Sequence, residues 1–507
     1  MKTGLLAGVL IITSANAFSQ AGTLDSSFGV EGLAISSFFE NLDQGRAMVI
    51  QPDDKIVVAG MTYSGTYDFA LCRFNADGTP DNSFGVDGKV ITDFSGYDEE
   101  GSALTIQPDG KLIVAGFSYD EPHASLDFAL ARYLTDGTLD DSFGNGGKVM
   151  TFFDGNAWAK AIAVQADGKI VAAGASNYLN GQQDFGIVRY LENGDLDLEF
   201  GEGGIVRTGF ATNSEDNPMA IALQADGKII VTGETRLESS FNYDFAIVRY
   251  NANGTLDDGF NDDGRIATNF GFNKDVASAV AIQADGKIIA TGKVGTDFTA
   301  DFGIARYSTS GYPDETFGED GRVIVTTNGI SKAIMLQPDN KILVAGGDLQ
   351  FLIARYDSSG NADTTFGTGG LTHTTFTGDS FGNALGFQSD GKIILAGTSN
   401  GMLAAVRYGS GLPLDVALHL ADPFALNVYP NPFAHEIKIE YNLPTACNVN
   451  TVLINAQGMV VKDLSEGIVQ APGFHSRKIV LGNEITHGIY YLHISCNDFS
   501  RVIRVLK

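Results

Sequence analysis

Apolar and polar positions come in short blocks with no helical spacing. In one stretch Ala103–Gln107 (ALTIQ) reads as a short strand and Pro108–Gly110 as a turn, with Pro favoured early and Gly free to take positive φ. Lys111–Gly116 (KLIVAG) is an apolar run without clean alternation, which suits a strand covered on both faces. A variable loop leads to a third strand, Asp127–Tyr133 (DFALARY). Turn residues from Thr135 to Gly147 then lead to a fourth, Lys148–Phe152.

The block recurs seven times. The phrase QPDDKIVVAG from Gln51 to Gly60 returns from Gln107, Gln165, Gln224, Gln283, Gln337 and Gln388, at steps of 56, 58, 59, 59, 54 and 51 residues. Four short antiparallel strands per unit of this period predict an all-β chain and a seven-bladed β-propeller. A phrase of the LDxxF type also occurs seven times, beginning at Leu24, Pro80, Leu139, Leu196, Leu256, Pro313 and Ala362. The strand after its first copy, near residues 33–38, has no preceding unit in sequence. It is expected to complete the blade that begins near Ala384 and so remove an open edge.

The phrases GTLDxSFGxxGKV, QPDGKIVVAG and DFALARY resemble the delta-60 repeats of bacterial surface and secreted proteins. The resemblance covers residues 22–408 and implies a β-propeller with no established general activity. The last two units depart from it, with shortened loops and no Asp opening the third strand.

The repeated polar residues read as structural. Arg precedes an aromatic in every third strand (Arg73, Arg132, Arg189, Arg249, Arg306, Arg355, Arg407), and every LDxxF phrase holds an Asp (Asp25, Asp81, Asp140, Asp197, Asp257, Asp314, Asp363). Equal counts suggest one-to-one pairing, since a guanidinium can hold a carboxylate and turn carbonyls together. A sevenfold catalytic set is a poor reading, because catalysis needs one asymmetric constellation. The Asn75 and Asn251 turns lack the alternating ligands and closing Glu of a calcium loop. His123 and His373 are expected in loops, and no metal or cofactor site is expected.

Alternating strand direction puts the PDGK and DGTLDxSFG turns on one face, where they are near copies. The loops on the opposite face differ in every unit, and a uniform scaffold with one varied face usually recognises ligands there. Those loops carry Tyr63, Tyr67, Phe117, Tyr119, Trp158, Tyr178, Phe241, Tyr243 and Phe298, the candidate binding face. Aromatic side chains give large contact area at low entropy cost. Asp120, Glu121, Glu215 and Asp216 stand beside them to add hydrogen bonds or hold a cation.

Both ends speak of export. Lys2, the apolar Leu5–Ile12 and Ala15-Asn16-Ala17 predict a signal peptide over residues 1–17. No later run is apolar enough for a spanning helix, so no integral membrane segment is expected. Residues 409–426 read as a linker. Residues 427–507 form short alternating strands, expected to make a small C-terminal β-sandwich. The phrases Tyr429-Pro430-Asn431-Pro432, Asn455–Gly458, Gly488-Ile489-Tyr490 and the terminal Lys507 resemble the type A sorting domain of the type IX secretion system of the Bacteroidetes lineage. Thr486-His487 replaces the usual Leu-Pro. The resemblance implies the secretion machinery as a partner, a secreted or outer-surface destination and cleavage of the tail.

Charge narrows the partners. The chain has 33 basic and 61 acidic residues, a formal charge of −28, and residues 18–426 carry 25 basic and 55 acidic. Nucleic-acid binding rests on clustered Lys and Arg and is not expected. Three cysteines exclude a disulfide framework; Cys447 and Cys496 either pair or stand as two thiols. The expected function is a non-enzymatic scaffold binding glycan or protein. The alternatives are an extracellular polymer hydrolase or lyase with its site at the propeller mouth, and a structural matrix protein.

Overall fold

The computed structural model describes residues 21–39, 42–177, 182–237, 240–296, 299–412, 427–429, 436–443, 447–455, 460–465, 469–471, 473–481, 489–496 and 499–506. The leader, Tyr178, Phe298, Pro430, Asn431, Pro432, Gly488, Lys507 and most of the linker lie outside them. All regular elements among the described residues are strands.

Residues 33–408 form seven four-stranded antiparallel sheets. One comprises Gln44–Ile50, Ile56–Tyr63, Tyr67–Phe74 and Lys89–Thr92, hydrogen-bonded in sequence order. Its second strand is buried from Ile56 to Thr62, because apolar residues of the sheets on either side cover it. That two-sided cover is why the KIVVAG runs do not alternate. The turn before each such strand needs a positive φ. Gly110 takes it at 86°, and Asp54 and Asn340 take it at 63° and 62° where glycine is replaced.

The first strands form the inner wall. They are Gln44–Ile50, Glu99–Ile106, Ala157–Val164, Glu215–Leu223, Val276–Ile282, Ser331–Leu336 and Ser380–Phe387. Each packs on the first strand before and after it, and the last packs on the first, so they surround a central channel. This is a β-propeller. The strand Leu33–Ser36 pairs with Met402–Tyr408, Leu33 opposite Val406 and Ser36 opposite Leu403, and supplies the outer strand of the last sheet.

The expectation of a loop at His373 is corrected: it lies in the fourth strand Leu371–Thr374. It stands where Met150 stands in Lys148–Thr151, at an exposed position of an outer strand that accepts polar and apolar side chains alike.

The C-terminal part has its own core. Ile437, Ile439 and Tyr441 from one sheet pack with Leu453, Leu492, Ile494 and Val505 from another. Cys447 is disulfide-bonded, while Cys72 is a free, buried thiol.

Candidate functional site

The seven Arg–Asp pairs form as spacing suggests, at 2.6–2.9 Å. The last joins Arg407 to Asp25 across the closure. The lysine of each PDGK-type turn reaches the same carboxylate at 2.7–3.3 Å. Each guanidinium also lies over the Phe of the LDxxF phrase, 4.3–4.8 Å from its centroid. Its Nη1 donates to a turn carbonyl of the next unit, Thr135 for Arg73 and Thr309 for Arg249. Burial opposes ionisation of Asp25, but the hydrogen bonds of Ser27 and the charges of Arg407 and Lys392 prevail and bring its carboxyl to about 2. The other six aspartates are lowered by the same balance. This network joins neighbouring sheets and repeats in every unit, so it is framework.

Asymmetry appears inside the channel. Every first strand carries a β-bulge at one position. The bulged residues are Arg46, Ser102, Lys160, Met219, Ser278, Lys332 and Asn383, each five residues before the repeated Gln and followed by Ala. All seven line a central cavity of about 480 Å³. The bulge explains the glycine that ends each KIVVAG phrase. A Cβ on Gly60 would overlap the Gln44 carbonyl and one on Gly116 that of Glu100, as the bulged backbone presses on the second strand.

The ring holds three cations and no anion. Glu100, from the same wall, lies 3.5 Å from both Arg46 and Lys160. Arg46 Nε and Ser278 Oγ are buried without a hydrogen-bond partner. Lys332 reaches water in the channel yet is enclosed by protein. That enclosure, with the charges of Arg46 and Lys160, pulls its amine below the usual lysine range. Sequence reading missed this ring. The signal was a variable residue at a fixed distance before a repeated Ala and Gln, but only the bulge turns it inward.

A second cavity of about 500 Å³ shares Arg46, Lys332 and Asn383 with the first and is also lined by Tyr67 and Phe381. Tyr67 is one of the nine aromatic candidates. Tyr63 packs on Tyr67 with centroids 5.0 Å apart, and Tyr119 packs on Tyr97 at 5.0 Å. Tyr243 donates to Glu215 at 2.8 Å under the Lys274 ammonium. Phe117 and Trp158 are half-buried in strands, and Phe241 is exposed. Asp216 is turned inward, contrary to its expected place among ligand-facing acids. It accepts from the Phe210 amide, Ser214 and Thr235, and so fastens the preceding loop. Asp43 and Asp275 hold the Phe38 and Phe270 amides in the same way.

Among the described residues, two side-chain groups have metal-ligating spacing: Asp68, Asp93 and Glu99, and Asp120, His123 and Asp127, with ligand atoms within 4.8 Å of one another. Burial raises the Glu99 carboxyl to about 7 and that of Asp127 to about 6. The exposed His123 ring stacks on Phe152 at 4.1 Å.

A family model described as a domain of unknown function (DUF5122) beta-propeller matches residues 51–84, 107–143, 165–200, 224–260, 283–317 and 337–366, and a secretion system C-terminal sorting domain matches 427–506. The chain carries delta-60-type propeller repeats and a type IX sorting domain. The sorting domain marks the propeller for export to the cell surface or the extracellular space. Its Tyr490 belongs to the buried core of that domain.

Solved structures are similar at the level of fold. One is PorZ, a surface component of the type IX secretion system of Porphyromonas gingivalis, at 13% identity and TM-score 0.44. The match covers 93% of this chain and 61% of that one, so the chain spans less than two thirds of PorZ. A polysaccharide lyase of the PL25 ulvan lyase family matches at 10% identity and TM-score 0.43, over 76% of this chain and 100% of that one. The propeller domain of the Trilobed protease of Pyrococcus furiosus matches at 11% identity and TM-score 0.38, over 73% and 94%. No curated protein matches the chain.

Proposed function

We propose that the exported propeller is a non-enzymatic binding scaffold that takes a glycan or protein on its varied-loop face, around the mouth of the channel. One observation carries the reading: the bulge ring breaks sevenfold repetition at a level where the fold itself repeats. The same backbone position accepts Arg, Ser, Lys, Met and Asn, so its side chains are free to serve a ligand. Aromatic residues of the first and second units stand in exposed or half-buried pairs on that face.

The hydrolase or lyase alternative has weaker support. Hydrolysis by paired carboxylates needs two flanking the scissile bond. The described lining of the central cavity supplies one, Glu100, held between two cations. The cavity at the mouth adds the exposed Asp348 and Asp379, and Asp43, whose oxygens are taken by the Phe38 amide and Thr62.

The test is an array of glycans, extracellular polymers and proteins probed with residues 18–507. A specific ligand is expected, with affinity reduced at least tenfold by combined Tyr119→Ala and Trp158→Ala, since each stacked ring contributes roughly 0.5–1.5 kcal/mol beyond its buried area. Polymer turnover, or no ligand at all, would refute the reading.

A further inference from the structure

We propose that the loop-face mouth of the channel binds the acidic end of a saccharide, with Arg46 and Lys332 taking its carboxylate or sulfate and Tyr67 and Phe381 packing against the sugar ring. The proposal rests on the binding reading above and names the ligand class.

Charge is the first argument. Residues 18–426 hold 55 acidic and 25 basic residues, yet the bulge ring presents Arg46, Lys160 and Lys332 to one cavity. The fold does not demand cations there, since Ser, Met and Asn serve in the other units. Three cations facing one cavity repel one another, and Glu100 balances only one of them. An anion entering the ring relieves the remaining repulsion.

Orphaned donors are the second argument. Ser278 Oγ is buried without a hydrogen-bond partner, and Arg46 Nε has none either, its ion-pair contact with Glu100 being 3.5 Å long. An unsatisfied buried donor carries a desolvation cost that a ligand oxygen removes. A guanidinium edge suits the geometry of a carboxylate or sulfate.

Shape gives the orientation. Toward the opposite face the channel is lined by Ile50, Ile106, Val164 and Phe387 together with Gln51, Gln107, Gln165 and Gln388, and by no lysine or arginine, so that end offers an anion no positive charge. Toward the loop face, Arg46 and Lys332 open into the second cavity, where Tyr67 and Phe381 add ring faces. Two cations beside two aromatic rings suit a sugar that carries charge at one end. The same cavity holds the exposed Asp348 and Asp379. These repel a polyanion laid across the mouth and favour end-on entry of a single acidic residue.

The proposal is tested by calorimetry on residues 18–507 with trigalacturonate, a sulfated trisaccharide, maltotriose and sodium sulfate. Either acidic trisaccharide is expected to bind at least tenfold more tightly than maltotriose and to weaken as salt rises. Combined Arg46→Gln and Lys332→Met should lower that affinity at least tenfold with an unchanged melting temperature, and Lys332→Arg should retain it. Tyr67→Ala should weaken the trisaccharide but not sulfate. The proposal is overturned if maltotriose binds equally, if sulfate alone binds as tightly as the acidic trisaccharides, if the double variant binds like the parent, or if none of the four binds. A neutral glycan or protein ligand that depends on Tyr119 and Trp158 would leave the binding reading standing while sinking the acidic saccharide. An array without any ligand sinks both.

Discussion

Arg249 shows what one repeated residue does. Its guanidinium pairs with Asp257 at 2.6 Å, lies 4.3 Å over Phe260 and donates to the Thr309 carbonyl of the next unit. Lys228 reaches the same carboxylate at 2.7 Å from a more exposed position. Removing one partner of a buried pair costs about 3–5 kcal/mol. Arg249→Ala is therefore expected at the lower end, about 3 kcal/mol, because Lys228 still neutralises Asp257. Lys228→Ala is expected to cost no more than about 1 kcal/mol, as for an exposed pair. Urea denaturation of both variants decides the matter; equal losses would mean that the lysine and the arginine share the task evenly.

At the scale of the element, closure depends on the N-terminal strand. Leu33–Ser36 pairs with Met402–Tyr408, Asp25 holds Arg407, and Phe28 lies under that guanidinium at 4.8 Å. Deleting residues 18–38 removes all three, leaving Arg407 without its carboxylate and Met402–Tyr408 with an open edge. The truncated chain is expected to aggregate or to melt without cooperativity. A soluble monomer with the parent melting curve would show that the last sheet holds without its outer strand.

Across the whole molecule, two sets of carboxylates pull stability in opposite directions with pH. The seven framework aspartates are lowered, Asp25 to about 2. Their contribution is present above the unfolded value near 3.9 and is lost as pH falls through the folded values. Glu99, at about 7, and Asp127 and Asp275, at about 6, are raised by burial. What they contribute is present below the unfolded value and is lost as pH rises through 6 to 7. The melting temperature is thus expected to peak near pH 4–5 and fall on both sides. Glu99→Gln should flatten the upper limb and leave the acid limb unchanged. A melting temperature that keeps rising to pH 8 would contradict this account.

The sequence by itself determined the propeller, its period, the pairing of Arg with Asp and the exported character of the chain. Each of these is local or repeated: a turn residue fixes φ, an apolar run marks two-sided burial, and seven copies of a phrase multiply a weak signal. It also placed Tyr67 on the varied face without knowing its neighbours. Only the tertiary structure decided that Arg46, Lys160 and Lys332, far apart in the chain, face one cavity. Strand alternation assigns a side chain to one of two faces, and a bulge breaks that count by one residue. It likewise decided that Asp216 fastens a loop, since burial depends on what packs above a residue. The framework is legible in the repeat; the candidate site lies where seven units meet and differ.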